Sequence, residues 1–88
     1  PLTVLPGRRL AGQGSIDNVV VMLDGQCAFA AIDDPALTIY WGAYLGTADE
    51  RLIAGPLQAV KAQILEVRAR ERARKGWIMD TYLLRREL

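Results

Sequence analysis

The sequence predicts an α+β fold: a three- to four-stranded antiparallel sheet with one long C-terminal helix packed on one face and a short terminal helix. Three observations lead there. Residues 56–75 carry apolar side chains at helical spacing between a proline and a glycine. Residues 18–32 place two apolar runs on either side of Asp24-Gly25. Residues 37–45, LTIYWGAYL, alternate as a strand does. At 88 residues the chain is read as a single domain, 1–88. A chain of this size buries only about 60% of the surface that its unfolded form exposes.

Residues 1–15, PLTVLPGRRLAGQGS, form a loop-rich opening segment in which Leu2–Leu5 can add a short edge strand. Gly12-Gln13-Gly14 falls short of a dinucleotide loop, because the third glycine would fall at Asp17 and no Gly-Lys-Ser/Thr follows. Pro1, with Arg8 and Arg9 nearby, resembles the opening of the tautomerases, which use an amino-terminal proline as base. A glycine-rich loop stands where that family has a long helix, so no family is assigned.

The sheet is expected mainly from residues 18–54. Asp-Gly is a two-residue hairpin signal, and the Val19–Val21 triplet favours strand. That register sets Met22 opposite Cys27 and Val20 opposite Phe29 on one side. Val19, Val21, Leu23, Ala28, Ala30 and Ile32 take the other, so both faces are apolar. A helix through Ile16, Val19, Val20, Leu23 and Cys27 is the rival, opposed by Gly25 and the β-branched run. For 37–45 the strand reading turns Leu37, Ile39, Trp41 and Leu45 inward and Thr38, Tyr40 and Tyr44 outward. The helix reading rests on Asp34 as N-cap, Pro35 at the first position and Gly46 beyond the end. Thr47–Glu50 matches a capping box and opens either a short helix or a turn whose return strand is Arg51–Ala54.

Pro56 suits a first helical position and Gly76 a left-handed C-cap. Leu57, Val60, Ile64 and Val67 make one face, widened by Leu65. From Arg68 onward the helix is charged on every side, so its last two turns are expected to stand in water. Glu66–Arg70 and Glu71–Lys75 are i,i+4 pairs in the favourable order. The terminal segment 77–86 is read as a short helix packing back on the sheet, with a strand as the alternative because Trp77, Ile78, Thr81 and Tyr82 favour sheet.

Function is less legible. There is no His, and the single Cys27 excludes an internal disulfide, so the expected catalytic and metal-ligating sets are both empty and no cofactor is expected. Cys27 reads as a small buried hydrophobe on a strand. Charge is uneven: residues 1–50 hold two Arg against six acids, net −4, and residues 51–88 hold nine Lys or Arg against four acids, net +5. Two surfaces stand out. Tyr40, Trp41, Tyr44, Trp77 and Tyr82 can form a ligand or subunit surface. Arg68, Arg70, Arg72, Arg74 and Lys75 can meet an anion or nucleic acid, against the plainer reading of a solvated helix end. A two-faced sheet with one helix leaves a face uncovered, which predicts a homo-oligomer, dimer or higher. The resulting expectation is a soluble, cytoplasmic, non-enzymatic homo-oligomeric interaction or small-ligand-binding module with no membrane segment. Nucleic-acid binding through the basic helix end is the alternative.

Overall fold

The structure, a computed structural model, describes residues 2–87; Pro1, weighed above as a base, lies outside them. Five strands form one mixed sheet in the order β1-β2-β5-β3-β4. They are β1 (Thr3–Pro6), β2 (Val19–Met22), β3 (Leu37–Ala43), β4 (Arg51–Pro56) and β5 (Asp80–Arg86), with a single helix α1 (Leu57–Lys75) between β4 and β5. β1 and β2 are parallel, and the remaining pairs are antiparallel. The α+β class holds, with one long helix on one face, but the sheet has five strands rather than three or four.

The largest departure is β5. The terminal segment is a strand at the centre of the sheet, not a short helix. Tyr82 and Leu84 alternate with Thr81 and Leu83, and their side chains fill the core from a position flanked by β2 and β3. A fully paired central strand satisfies its backbone on both sides, which a short terminal helix cannot match.

The hairpin at Asp24-Gly25 does not form. Neither residue takes positive φ; Leu23 and Cys27 do, at 55° and 53°. After β2 the chain turns into a one-turn 3-10 helix, Ala28–Ala31. The reason is Asp24, which is drawn inside: its Oδ2 accepts the Ala28 N–H at 2.8 Å and a short hydrogen bond from the Tyr82 hydroxyl. Cys27 consequently lies half-buried before the 3-10 turn, not on a strand. A second 3-10 helix, Gly7–Gly12, follows β1 and buries Leu10. Gly7 abuts Asp24 so closely that a Cβ there would lie 2.3 Å from Asp24 Oδ1.

β3 is a strand as expected, with Leu37, Ile39 and Trp41 inside. Its end is reversed: Tyr44 is buried and Leu45 exposed, because Tyr44 takes φ 52° and swings its ring under the sheet. The capping-box residues close the β3–β4 hairpin instead of starting a helix. Thr47 Oγ1 accepts the Asp49 N–H at 3.2 Å, and Glu50 Oε1 accepts the Gly46 N–H at 2.9 Å.

Pro56 ends β4 and is the N-cap of α1, one residue before its expected place. Gly76 caps the helix in the left-handed region, at φ 83°. Leu57 and Ile64 are buried in the same core cluster as Ile39, Trp41 and Leu84 of the sheet. The last two turns are not surrounded by water. Arg68 and Glu71 sit largely out of solvent because Asp80 of β5 meets Arg68, while Arg51 of β4 and Arg74 of the helix itself meet Glu71.

Only one sheet face carries this cover. Val19, Val21, Ile39, Trp41, Tyr82 and Leu84 point into it. The opposite face presents Val4, Val20, Met22, Tyr40, Leu52 and Leu83, and most of these are exposed. Among the described residues no helix is long and apolar enough to cross a membrane.

Candidate functional site

The bare face follows from strand periodicity. Residues one step out of phase with the core project to the other side, and the register aligns them into rows. One row runs Val20, Leu83, Tyr40, Ala54; the next runs Met22, Thr81, Gly42, Leu52. The small residues Gly42, Ala54 and Thr81 make the floor of a trough of about 340 Å³, walled by Val20, Tyr40, Leu45, Leu52 and Leu83. Leu45 and Leu52 lean over Gly42, where an added Cβ would lie 2.6 Å from Leu45 Cδ2.

No ionisable side chain lines the floor. Thr81 spends its hydroxyl on the Val21 carbonyl at 2.9 Å. At the rim, the Tyr40 hydroxyl donates to Glu87 Oε1 at 2.6 Å, and that hydrogen bond raises the phenol pKa above its ordinary value. The trough is therefore apolar, with one oriented phenol at its edge.

Behind the sheet lie two buried polar junctions. Asp80 accepts the Trp41 indole N–H at 2.8 Å and the Arg68 Nε–H at 2.9 Å on the same oxygen, which ties β3, β5 and α1 together. Asp24 joins Tyr82 and Ala28, while its Oδ1 has no partner. Burial raises the Tyr82 phenol pKa well above its ordinary value, and the hydrogen bond to Asp24 adds to it. Cys27 is kept a thiol: burial raises its pKa, Arg68 opposes this, and Asp80 and Asp24 reinforce it.

The aromatic residues do not form one cluster. Tyr40 is on the bare face. Trp41 and Tyr82 are in the core, the latter edge-to-face with Phe29 at 5.0 Å. Tyr44 and Trp77 meet edge-to-face at 4.9 Å, with the Tyr44 hydroxyl donating to the Trp77 carbonyl at 2.6 Å. Lys75 Nζ lies 5.7 Å from the Tyr44 ring centroid.

The basic run is largely committed to acids. Arg68 holds Asp80, Arg70 meets Glu66 at 3.6 Å, Arg74 bridges Glu71 and Asp49, and Lys75 binds Asp49 at 2.7 Å. Glu71 thus pairs with Arg74 and Arg51 rather than with Lys75. Among the described residues Arg72 alone of the run makes no ion pair. These contacts predict an acid sensitivity. The Arg74 hydrogen bond holds Glu71 below its ordinary 4.5; Lys75 and then Arg74 hold Asp49, and Arg86 holds Asp34, below 3.8. Carboxyls depressed on folding stabilise above their unfolded pKa and lose that contribution as pH falls through the folded value. Thermal melts are expected to be level from neutrality down to about pH 5 and to drop below about pH 4. A melting temperature unchanged down to pH 2 would refute these ion pairs.

Among the described residues no group of three or more His, Cys, Asp or Glu is placed to hold a metal ion. Sequence reasoning missed both Asp junctions. By local pattern Asp24 reads as a turn residue and Asp80 as part of a helix. The available signal was a lone carboxylate inside an otherwise apolar run, in VVVMLDGQCAF and in WIMDTYLL.

No family model matches the chain. It is 52% identical over 88 residues to a precorrin-6A synthase [deacetylating] from Sinorhizobium sp., covering 98% of this chain and 34% of that protein. A crystal structure of a cobalamin synthesis related protein (CobF) from Corynebacterium diphtheriae matches with a TM-score of 0.94 at 38% identity, covering 98% of this chain and 37% of that one. These findings overturn the expectation of a non-enzymatic interaction module of unknown role, and with it the nucleic-acid alternative. Free His, metal ligands and nucleophiles are a poor guide when the matched segment is a fraction of a larger protein. Over nearly its whole length the chain is similar to an enzyme of precorrin-6A synthesis, of which it spans about one third.

Proposed function

We propose that this chain is a working part of an enzyme that forms precorrin-6A with deacetylation, corresponding to about one third of such an enzyme. The observation that carries this reading is 52% identity to a precorrin-6A synthase, sustained across 98% of the chain. Within this reading the chain supplies a rigid frame and a recognition surface. The Asp80 junction locks α1 onto β3 and β5, and the bare face offers an apolar trough. Tyr40 already donates to Glu87, so it presents acceptor lone pairs to an incoming group. Asp80 is engaged as a structural acceptor by Trp41 and Arg68, and Asp24 accepts from Tyr82 and Ala28 through Oδ2.

A segment exchange tests this. In the Sinorhizobium enzyme, the aligned segment is replaced by this chain, and precorrin-6A formation is assayed. The chimera is expected to retain activity within roughly tenfold of the parent, equivalent to about 1.4 kcal/mol of barrier. A chimera that melts cooperatively near the parent's temperature yet forms no precorrin-6A would dispose of the reading.

A further inference from the structure

We propose that the cleft beside the C-terminal end of α1 is a binding site for a flat organic monocarboxylate, held by Arg72 and Trp77. The cleft measures about 380 Å³ and is lined by Arg68 and Arg72 of the helix, its Gly76 cap, Trp77, Ile78, and Gly25 from the turn after β2. It shares no lining residue with the trough on the bare sheet face. It joins members of both surfaces that the sequence singles out, the basic run and the aromatic set.

Electrostatics select the anion. Arg68 and Arg72 are i,i+4 neighbours of the same sign, an unfavourable arrangement on a helix. Asp80 matches the charge of Arg68, which leaves that of Arg72 over. The helix offers Arg72 no acid: Arg68 and Ala69 lie one turn before it, Lys75 and Gly76 one turn after. The cleft therefore carries one uncompensated positive charge among its lining residues, which suits a monoanion better than a doubly charged phosphate. A guanidinium fork meets a carboxylate through two parallel N–H···O bonds. The carbonyl groups at the helix C-terminus oppose an anion. One of them, that of Arg72, is already taken by the Gly76 N–H at 2.8 Å.

Shape selects the body of the ligand. Trp77 is half-exposed, and its ring is set edge-to-face on Tyr44 with Lys75 Nζ 5.9 Å from its centroid. An indole fixed in this way is a stacking surface for a flat apolar group. Ile78 adds an apolar side chain to the lining. Gly25 and Gly76 leave the mouth open, since a Cβ added to either would meet nothing within 4 Å.

Proton–nitrogen correlation NMR of the 88-residue chain, titrated with trans-cinnamate, tests this. The expected result is a saturable shift of the Trp77 indole N–H and of the Gly76, Trp77 and Ile78 amides, with Kd on the order of 1 mM for so small a ligand. Cinnamamide, the same body without the charge, is expected to bind roughly tenfold more weakly or worse, and so is cinnamate to Arg72→Gln. Arg72→Gln is expected to melt like wild type, because Arg72 is exposed and makes no ion pair among the described residues. Inorganic phosphate at equal ionic strength is expected to give no saturable shift. The proposal is overturned if cinnamate fails to saturate these resonances by about 20 mM. Cinnamamide binding as tightly as cinnamate, an Arg72→Gln chain that binds like wild type, or phosphate saturating the same resonances would each overturn it as well.

Discussion

Asp80→Ala is expected to destabilise the fold by about 3–5 kcal/mol, because it strands the Arg68 guanidinium and the Trp41 N–H out of water without an acceptor. Both members of the ion pair are largely buried, with 13% and 8% of their side-chain surface exposed, so little solvent is at hand to replace the lost carboxylate. Asp80 stands where β3, β5 and α1 converge, and no other described residue accepts from Arg68 and Trp41 together. Urea unfolding measures the effect as a fall in midpoint at constant slope. Adding Arg68→Met to Asp80→Ala is expected to recover part of the loss, since it removes the uncompensated charge and leaves an apolar stem in its place. A loss below 1 kcal/mol for Asp80→Ala would show that the junction is solvated and does not hold the helix to the sheet.

Phe29→Ala is expected to cost about 3–5 kcal/mol, the usual price for emptying a fully buried aromatic site. Phe29 has no exposed surface and packs edge-to-face on Tyr82. The 3-10 segment around it has no strand partner; Phe29 is its one fully buried side chain, beside hydrogen bonds from Lys61 to the Ala30 and Ile32 carbonyls and from the Ala28 N–H to Asp24. Phe29→Leu keeps much of the volume and should cost less than half as much. Hydrogen exchange separates local from global loss: the Ala30 and Ile32 amides, which close the 3-10 turn, are expected to lose protection first in Phe29→Ala. If they exchange no faster than the β3 amides, the segment is held by something other than Phe29.

Several features are legible from local chemistry. The helix from Leu57 to Lys75, its glycine cap and β3 follow from spacing and from residues that suit those conformations. The surplus of apolar side chains over available cover is also legible, since Val20, Met22, Tyr40 and Leu52 fall out of phase with the core. The trough, by contrast, depends on Gly42, Ala54 and Thr81 meeting in adjacent strands, which needs the strand order. Nor does any single motif in the chain signal precorrin-6A synthesis. The side chains that commonly announce an enzyme are missing or engaged in holding the fold.

Local spacing placed the long helix and its stop and the inward turn of Leu37, Ile39 and Trp41, because those depend on neighbours within four or five positions. Tertiary structure alone decided that residues 80–86 form the central strand, that Asp24 is drawn inward instead of closing a hairpin, and that acids claim most of the basic run. Asp24 and Tyr82 are 58 residues apart, and Trp41 and Asp80 are 39 apart. A carboxylate that would favour a turn in water is worth more inside once a distant hydroxyl or indole is brought within hydrogen-bonding distance.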